Sequence, residues 1–245
     1  MSSDKGREAR SRVTENDSAP KRRRRKKERL TVRQIAEAAL TLVNREGLDG
    51  LTMRALADAM DVQAPVIYRH VADKRQLLDE MADAIVAAVP LGGLDDEDAY
   101  VNLAEFVRRL RRTLLMYRDG ARIVGGSYSA KHSTLRGAET LMALLVKAGL
   151  DRDRALWAMT TVLSFILGET LEQQGLPDEP GEATAAITAS LGEVLSSPDF
   201  RHLDTELMAR RFFDFDGRFE FGLAMILAGV REQVAGTDRE KIGLA

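Results

Sequence analysis

From Leu30 to about residue 235, apolar residues recur at three- and four-residue spacing, and no stretch alternates polar with apolar over five or more positions. That period places one apolar stripe on each of a series of helices and leaves a sheet nothing to build on. The chain therefore reads as all-α. Val32, Ile35, Ala36, Ala39, Leu40 and Val43 mark the first inward face, with Thr31 as N-cap and Gly47 as stop. Thr52 caps a second, short helix with Leu51, Met53, Leu56, Ala57 and Met60 inward. A third opens at Ala64-Pro65, where proline has no helical N–H bond to lose, and runs to about His70 or Val71. Asp73 caps a longer helix, Lys74 to Val89, which Pro90-Leu91-Gly92-Gly93 ends. Further helices are expected near 95–117, 131–148, 151–174, 182–196, 204–213 and 215–235, with a loop over 175–181. The acidic run Asp95–Asp98 belongs at the positive end of its helix dipole, as a cap and not as a metal site.

Helices 151–174 and 215–235 are apolar around most of their circumference, so each needs cover on every side. Two such helices near the end of one chain predict a homodimer in which a second copy completes a bundle. Charge divides the chain differently. Residues 1–29 carry 12 Lys and Arg against 5 Asp and Glu, and the remainder carries 24 against 33. Seven consecutive basic residues, Lys21 to Lys27, repel one another unless phosphates lie nearby, so 1–29 reads as a disordered basic arm. A basic arm ahead of an acidic body points to a polyanion, although solvated basic tails are also common.

Several functions are excluded by what is missing. With no cysteine there are no disulfides, thiol nucleophiles or Cys-ligated zinc sites. The three histidines, His70, His132 and His202, are too scattered for a zinc pair on one helical turn. Gly125-Gly126 follows no strand, which removes a dinucleotide loop, and no Ser–His–acid set supports an enzyme. No catalytic residue, metal or cofactor is expected. There is neither an apolar run long enough for a membrane span nor a signal peptide, so the expectation is a cytoplasmic protein with no membrane partner.

Two short helices joined by a tight turn, the second opening on Ala64-Pro65 and closing on aromatic and basic residues, form a helix-turn-helix pattern. Ala57 is small enough for a close crossing, and Asp61 sits where a left-handed backbone is needed. Gln63, Val66, Tyr68, Arg69 and His70 then face a major groove while Val62 and Ile67 pack inward. The stretch LTMRALADAMDVQAPVIYRHVADKRQLLDEM, with Gly50-Leu51-Thr52, Tyr68-x-His70-Val71 and Lys74-x-x-Leu77-Leu78, resembles the DNA-binding domain of the tetracycline-repressor (TetR) family. Downstream, YRDGARIVGG, FILGETLEQQ and FEFGLAMILAGVREQ are similar to the ligand-binding and dimerisation half of the family's tetracycline-binding members, so the resemblance spans roughly 30–235. It implies a reading head (30–89) and a ligand-binding, dimerising domain (90–245), and leaves the basic arm (1–29) outside it.

By matching position, the resemblance implies DNA contacts from Thr52, Arg54, Gln63, Ala64, Pro65, Val66, Tyr68, Arg69, His70 and Lys74. Tyr68 and Lys74 would position the head on phosphates, while Gln63, Val66 and Arg69 would read bases. It also implies a ligand pocket drawn from Phe106, Leu110, Val124, Ser127, Tyr128, Met142, Leu145, Trp157, Ser164, Phe165 and Glu172. Spacing alone does not distinguish such a pocket from packed core. In the tetracycline-binding members a histidine ligates the drug's magnesium where this chain has Val124. An asparagine that grips the drug aligns with Phe106, and another drug-contacting histidine with Pro90. Glu172 alone keeps the acidic character, which argues against a metal–tetracycline ligand and for a small, mostly apolar effector. The expected function is a dimeric repressor of a pseudo-palindromic double-stranded operator, released by that effector. A ligand-independent architectural DNA-binding protein and an activator of the same family remain as alternatives.

Overall fold

Thr31 starts the first helix as the sequence predicts. Its hydroxyl accepts from Gln34 N, and the Gln34 side chain accepts from Thr31 N at 2.9 Å, a reciprocal cap that satisfies two end donors. The structure, a computed structural model, describes residues 30–128, 130–176 and 180–241, with backbone alone over 180–183 and 237–241. The arm 1–29 lies outside the described residues. Among the described residues the helices are α1 (Val32–Glu46), α2 (Met53–Ala59), α3 (Ala64–Tyr68), α4 (Lys74–Ala87), α5 (Ala99–Leu115), α6 (Gly120–Gly125), α7 (His132–Lys147), α8 (Arg152–Gln174), α9 (Pro180–Leu195), α10 (Thr205–Arg211) and α11 (Phe215–Lys241), with one 3-10 turn at Leu48–Gly50. No strand occurs among them. The chain is all-α.

α1 buries Ile35, Ala36, Ala39, Leu40, Leu42 and Val43 and ends at Gly47, whose φ of 78° only glycine adopts without strain. Thr52 caps α2 through Ala55 N at 3.0 Å. Asp61 takes φ 52° between α2 and α3, so the turn keeps its left-handed step without a glycine. Leu56, Ala57, Ile67 and Val71 close the small core of this head, whereas Met53, Met60 and Val62 are only half-buried. α3 is shorter than predicted and stops at Tyr68. Asp73 caps α4 through Gln76 N at 2.8 Å, and Leu77, Met81, Ala82 and Ile85 form its buried face.

From Thr31 onward the chain clusters as one compact unit. α4 makes it continuous, packing against α1 on one side and against α6 and α7 on the other. α8 is the central strut, in contact with α5, α6, α7 and α11. α5 begins at Ala99 instead of near 95, because Asp98 caps it through Tyr100 N and Asn102 folds back on Asp96. α9 begins at Pro180, inside the expected loop, and packs on α10. α11 runs past residue 235 to Lys241.

The one helix that periodicity does not predict is α6. Six residues between two glycine-bearing turns are too short to show a period. Asp119 in a left-handed conformation, φ 58°, starts it, and Gly120 lies so close to the Leu114 carbonyl that any side chain there would collide.

Candidate functional site

Most of the implied DNA contacts in the reading head are open to solvent. Arg54, Gln63, Pro65, Tyr68 and Arg69 are exposed, while Ala64, Val66 and His70 are half-buried. No hydrogen bond or ion pair among the described residues occupies the Arg54, Gln63, Arg69 or His70 side chains, so their donors and acceptors are available. Thr52 is exposed and already used as the α2 cap. Lys74 donates to the Leu51 carbonyl at 2.6 Å, which ties the start of α4 to the start of α2 and leaves two ammonium protons for a phosphate.

A second set of contacts holds this head to the rest of the unit. Asp119 Oδ2 accepts from Leu48 N at 2.7 Å, and Asn44 Oδ1 accepts from Arg118 N at 2.9 Å. Arg122 on α6 bonds Asp49 at 2.9 Å. The hydrogen bond from that guanidinium holds the Asp49 carboxylate below its ordinary range and raises Arg122 in turn. Nothing in the sequence alone pairs 44–49 with 118–122, because the contact spans more than seventy residues.

Behind the head lies a cavity of about 340 Å³, walled by α4, α5, α6, α7 and α8. Phe106, Leu110, Val124, Ser127, Tyr128 and Ser164 line it. Val86 and Val89, Leu114, Gly125, Thr134, Gly137 and Ala138, and the α8 residues Thr160, Leu163 and Leu167 complete it, none of them expected in the pocket from the sequence. A signal for the last three was present: with Ser164 they fall at i, i+3, i+4 and i+7, one stripe of one helix.

Five implied pocket residues lie elsewhere, each for a reason of helix geometry or pairing. Leu145 is fully buried in the core, and Met142 is half-buried one or more turns beyond the part of α7 that meets the cavity. Phe165 sits about 100° around α8 from Ser164 and stacks on Phe219 of α11, with centroids 5.5 Å apart. Trp157 opens instead on a groove between α8 and α11, with Arg154, Ile226 and Val230. Glu172 accepts from Arg218 at 2.6 Å, and the same guanidinium bonds Glu169 at 3.0 Å. Among the described residues no group of three His, Asp or Glu is placed to hold a metal.

The α4 wall is joined to the cavity rim by polar bonds. Asp79 accepts from Ser127 Oγ at 2.6 Å, Glu80 from Lys131 Nζ at 2.6 Å, and Asp83 from Thr134 N at 2.9 Å. The Glu80 bond raises Lys131 above the ordinary ammonium range. Deeper in the core, Arg111 reaches Asp216 and Gln173, each at 2.7 Å, and lies over the Phe219 ring, joining α5, α8 and α11.

Comparison with known proteins agrees with this arrangement along both halves. Residues 35–81 match the family described as bacterial regulatory proteins, tetR family. Residues 92–234 match the tetracyclin repressor-like C-terminal domain. The chain is 35% identical to a tetracycline repressor protein class G from Vibrio anguillarum, over 83% of this chain and 96% of that protein. It is similar to the crystal structure of a possible TetR family transcriptional regulator from Streptomyces coelicolor A3(2), with TM-score 0.71, 38% identity, and 82% and 98% of the two chains covered. It is also similar to ActR of Streptomyces coelicolor in complex with actinorhodin, with TM-score 0.73, 30% identity, and 82% and 95% covered. With a helix-turn-helix head, an all-helical body and matches across both, the chain belongs to the TetR family of DNA-binding transcriptional regulators.

Proposed function

We propose that the protein is a homodimeric repressor that binds a pseudo-palindromic operator in the cytoplasm and leaves it when a small, mostly apolar molecule enters the cavity. The observation that carries this reading is the double duty of α4. Its first turn, through Lys74, is bonded to the reading head, and its last turn and the residues after it, through Val86 and Val89, wall the cavity. A molecule that moves this wall moves the head. The cavity has the size and apolar lining of small-molecule sites. Relatives are tetracycline repressors, and ActR has been solved with actinorhodin bound.

Val124 on the wall and Glu172 paired with Arg218 support an effector that needs no metal. Among the described residues no serine, histidine and acid come together in the head or on the cavity wall, which supports a binding role. The exposed apolar residues Trp157, Phe221 and Met225 on α8 and α11 support a dimer through these two helices. The test is a thermal-shift screen of apolar metabolites and antibiotics, with and without magnesium, followed by operator mobility shifts. A magnesium-independent hit that also dissociates the operator supports the reading. Stabilisation by tetracycline only with magnesium overturns it.

A further inference from the structure

A guest in this cavity can bond only to the polar hydrogens and lone pairs that the wall leaves free. Among the described residues no side chain with a formal charge lines the cavity, and the side-chain polar groups on its wall are hydroxyls. The protons of Ser127, Thr134 and Thr160 are already placed, whereas among the described residues the Ser164 and Tyr128 hydroxyls carry no bond and can still donate to a guest. Ser127 Oγ donates to Asp79 at 2.6 Å, and Thr134 Oγ1 donates to Asp83 at 3.2 Å. Thr160 Oγ1 donates to the Trp157 carbonyl at 2.8 Å. A hydroxyl whose proton is committed offers a guest only lone pairs. Two carboxylates, Asp79 and Asp83, stand directly behind the rim and enrich it in negative potential.

We infer that at Thr134 and Thr160 this wall selects hydrogen-bond donors. The effector is an uncharged, mostly apolar molecule whose hydroxyl or N–H groups meet Thr134 and Thr160, two positions that disfavour ether, ketone and anionic oxygens, while any acceptor it carries is left to Ser164 and Tyr128. An ether oxygen facing an acceptor loses its water and gains no partner, and an anion also meets the field of the α4 carboxylates. The inference rests on the cavity being the effector site and adds the polarity of the guest. It also gives the wall a sense of direction. A donor bonded to Thr134 polarises the hydroxyl toward Asp83 and tightens the link between α7 and α4.

The test uses the full-length protein and three probes on one naphthalene frame: 2,7-dihydroxynaphthalene, 2,7-dimethoxynaphthalene and 2-naphthoate. Calorimetric titration should show the diol binding about tenfold or more tightly than the diether, with the carboxylate weakest. Thr134→Val and Thr160→Val keep shape and remove the acceptor, so each should bring the diol toward the diether, with melting curves confirming that the variants fold. Leu167→Trp fills the cavity and should abolish binding. Equal affinity for diol and diether, lost in Leu167→Trp, overturns the donor rule while the cavity remains the ligand site. Binding untouched by Leu167→Trp, or no binding of any probe, overturns both. The comparison of diol with diether on the unaltered protein decides the matter even if a valine variant is unstable.

Discussion

Arg69 follows α3 directly, exposed and without a partner among the described residues, so its guanidinium fork is free to grip a base. Arg69→Ala should cost about 1–3 kcal/mol on the specific operator, measured by mobility shift, and far less on random DNA. Equal loss on both would make it a phosphate contact. Gly120 gives a prediction about stability: Gly120→Ala drives a methyl into the Leu114 carbonyl and should lower stability by about 1–3 kcal/mol in denaturant titration. At this scale the reading head was the more legible part. Its caps, its left-handed Asp61 and its exposed face follow from local rules, since a short motif fixes its own geometry. The cavity was less so. Phe165 and Glu172 have the right chemistry on the right helix, but a helix turns about 100° per residue, and only a tertiary partner reveals which stripe faces inward.

Among the elements, α5 is fastened by arginines to its surroundings. Arg109 bonds Glu105 at 2.8 Å while also holding the carbonyls of Pro90 and Gly92, so it pins the α4–α5 connection. The Arg109 bond, with help from Arg112, holds the Glu105 carboxyl below its ordinary value of 4.5. A group whose folded value is lowered contributes stability above its unfolded value and loses it as pH falls through the folded one. Melting temperature should therefore drop below about pH 4.5, and Glu105→Gln should flatten that drop. An unchanged acid slope in the variant would show that the pair is idle. Long helices were legible because several turns of periodicity repeat the same message. α6 was not, because its helix depends on Asp119 and on contacts to Leu48 and Asp49 far away in sequence.

For the molecule as a whole, the exposed apolar side of α8 and α11 sets the expected assembly. Trp157 is 71%, Phe221 69% and Met225 61% exposed in the single chain. Phe221→Glu combined with Met225→Glu would bury charge in the proposed interface, so sedimentation should report half the native mass and operator binding should fall together with it. A native-sized double variant would move the interface elsewhere. In the dimer, two heads should read half-sites about 34–36 Å or a near multiple apart. Release from nearly full to nearly empty occupancy needs an effector that prefers the off state by about 5.5 kcal/mol. The sharing of Val86 and Val89 between the cavity wall and the α4 region has an evolutionary price. If the proposed coupling holds, a substitution there that broadens the range of inducers should also shift the resting tilt of the head, so that the regulator leaks or locks. Drift toward new chemical signals should therefore accumulate on the α7 and α8 walls, at Ala138 and Leu163, where taste can change while the silence of the regulated gene is kept.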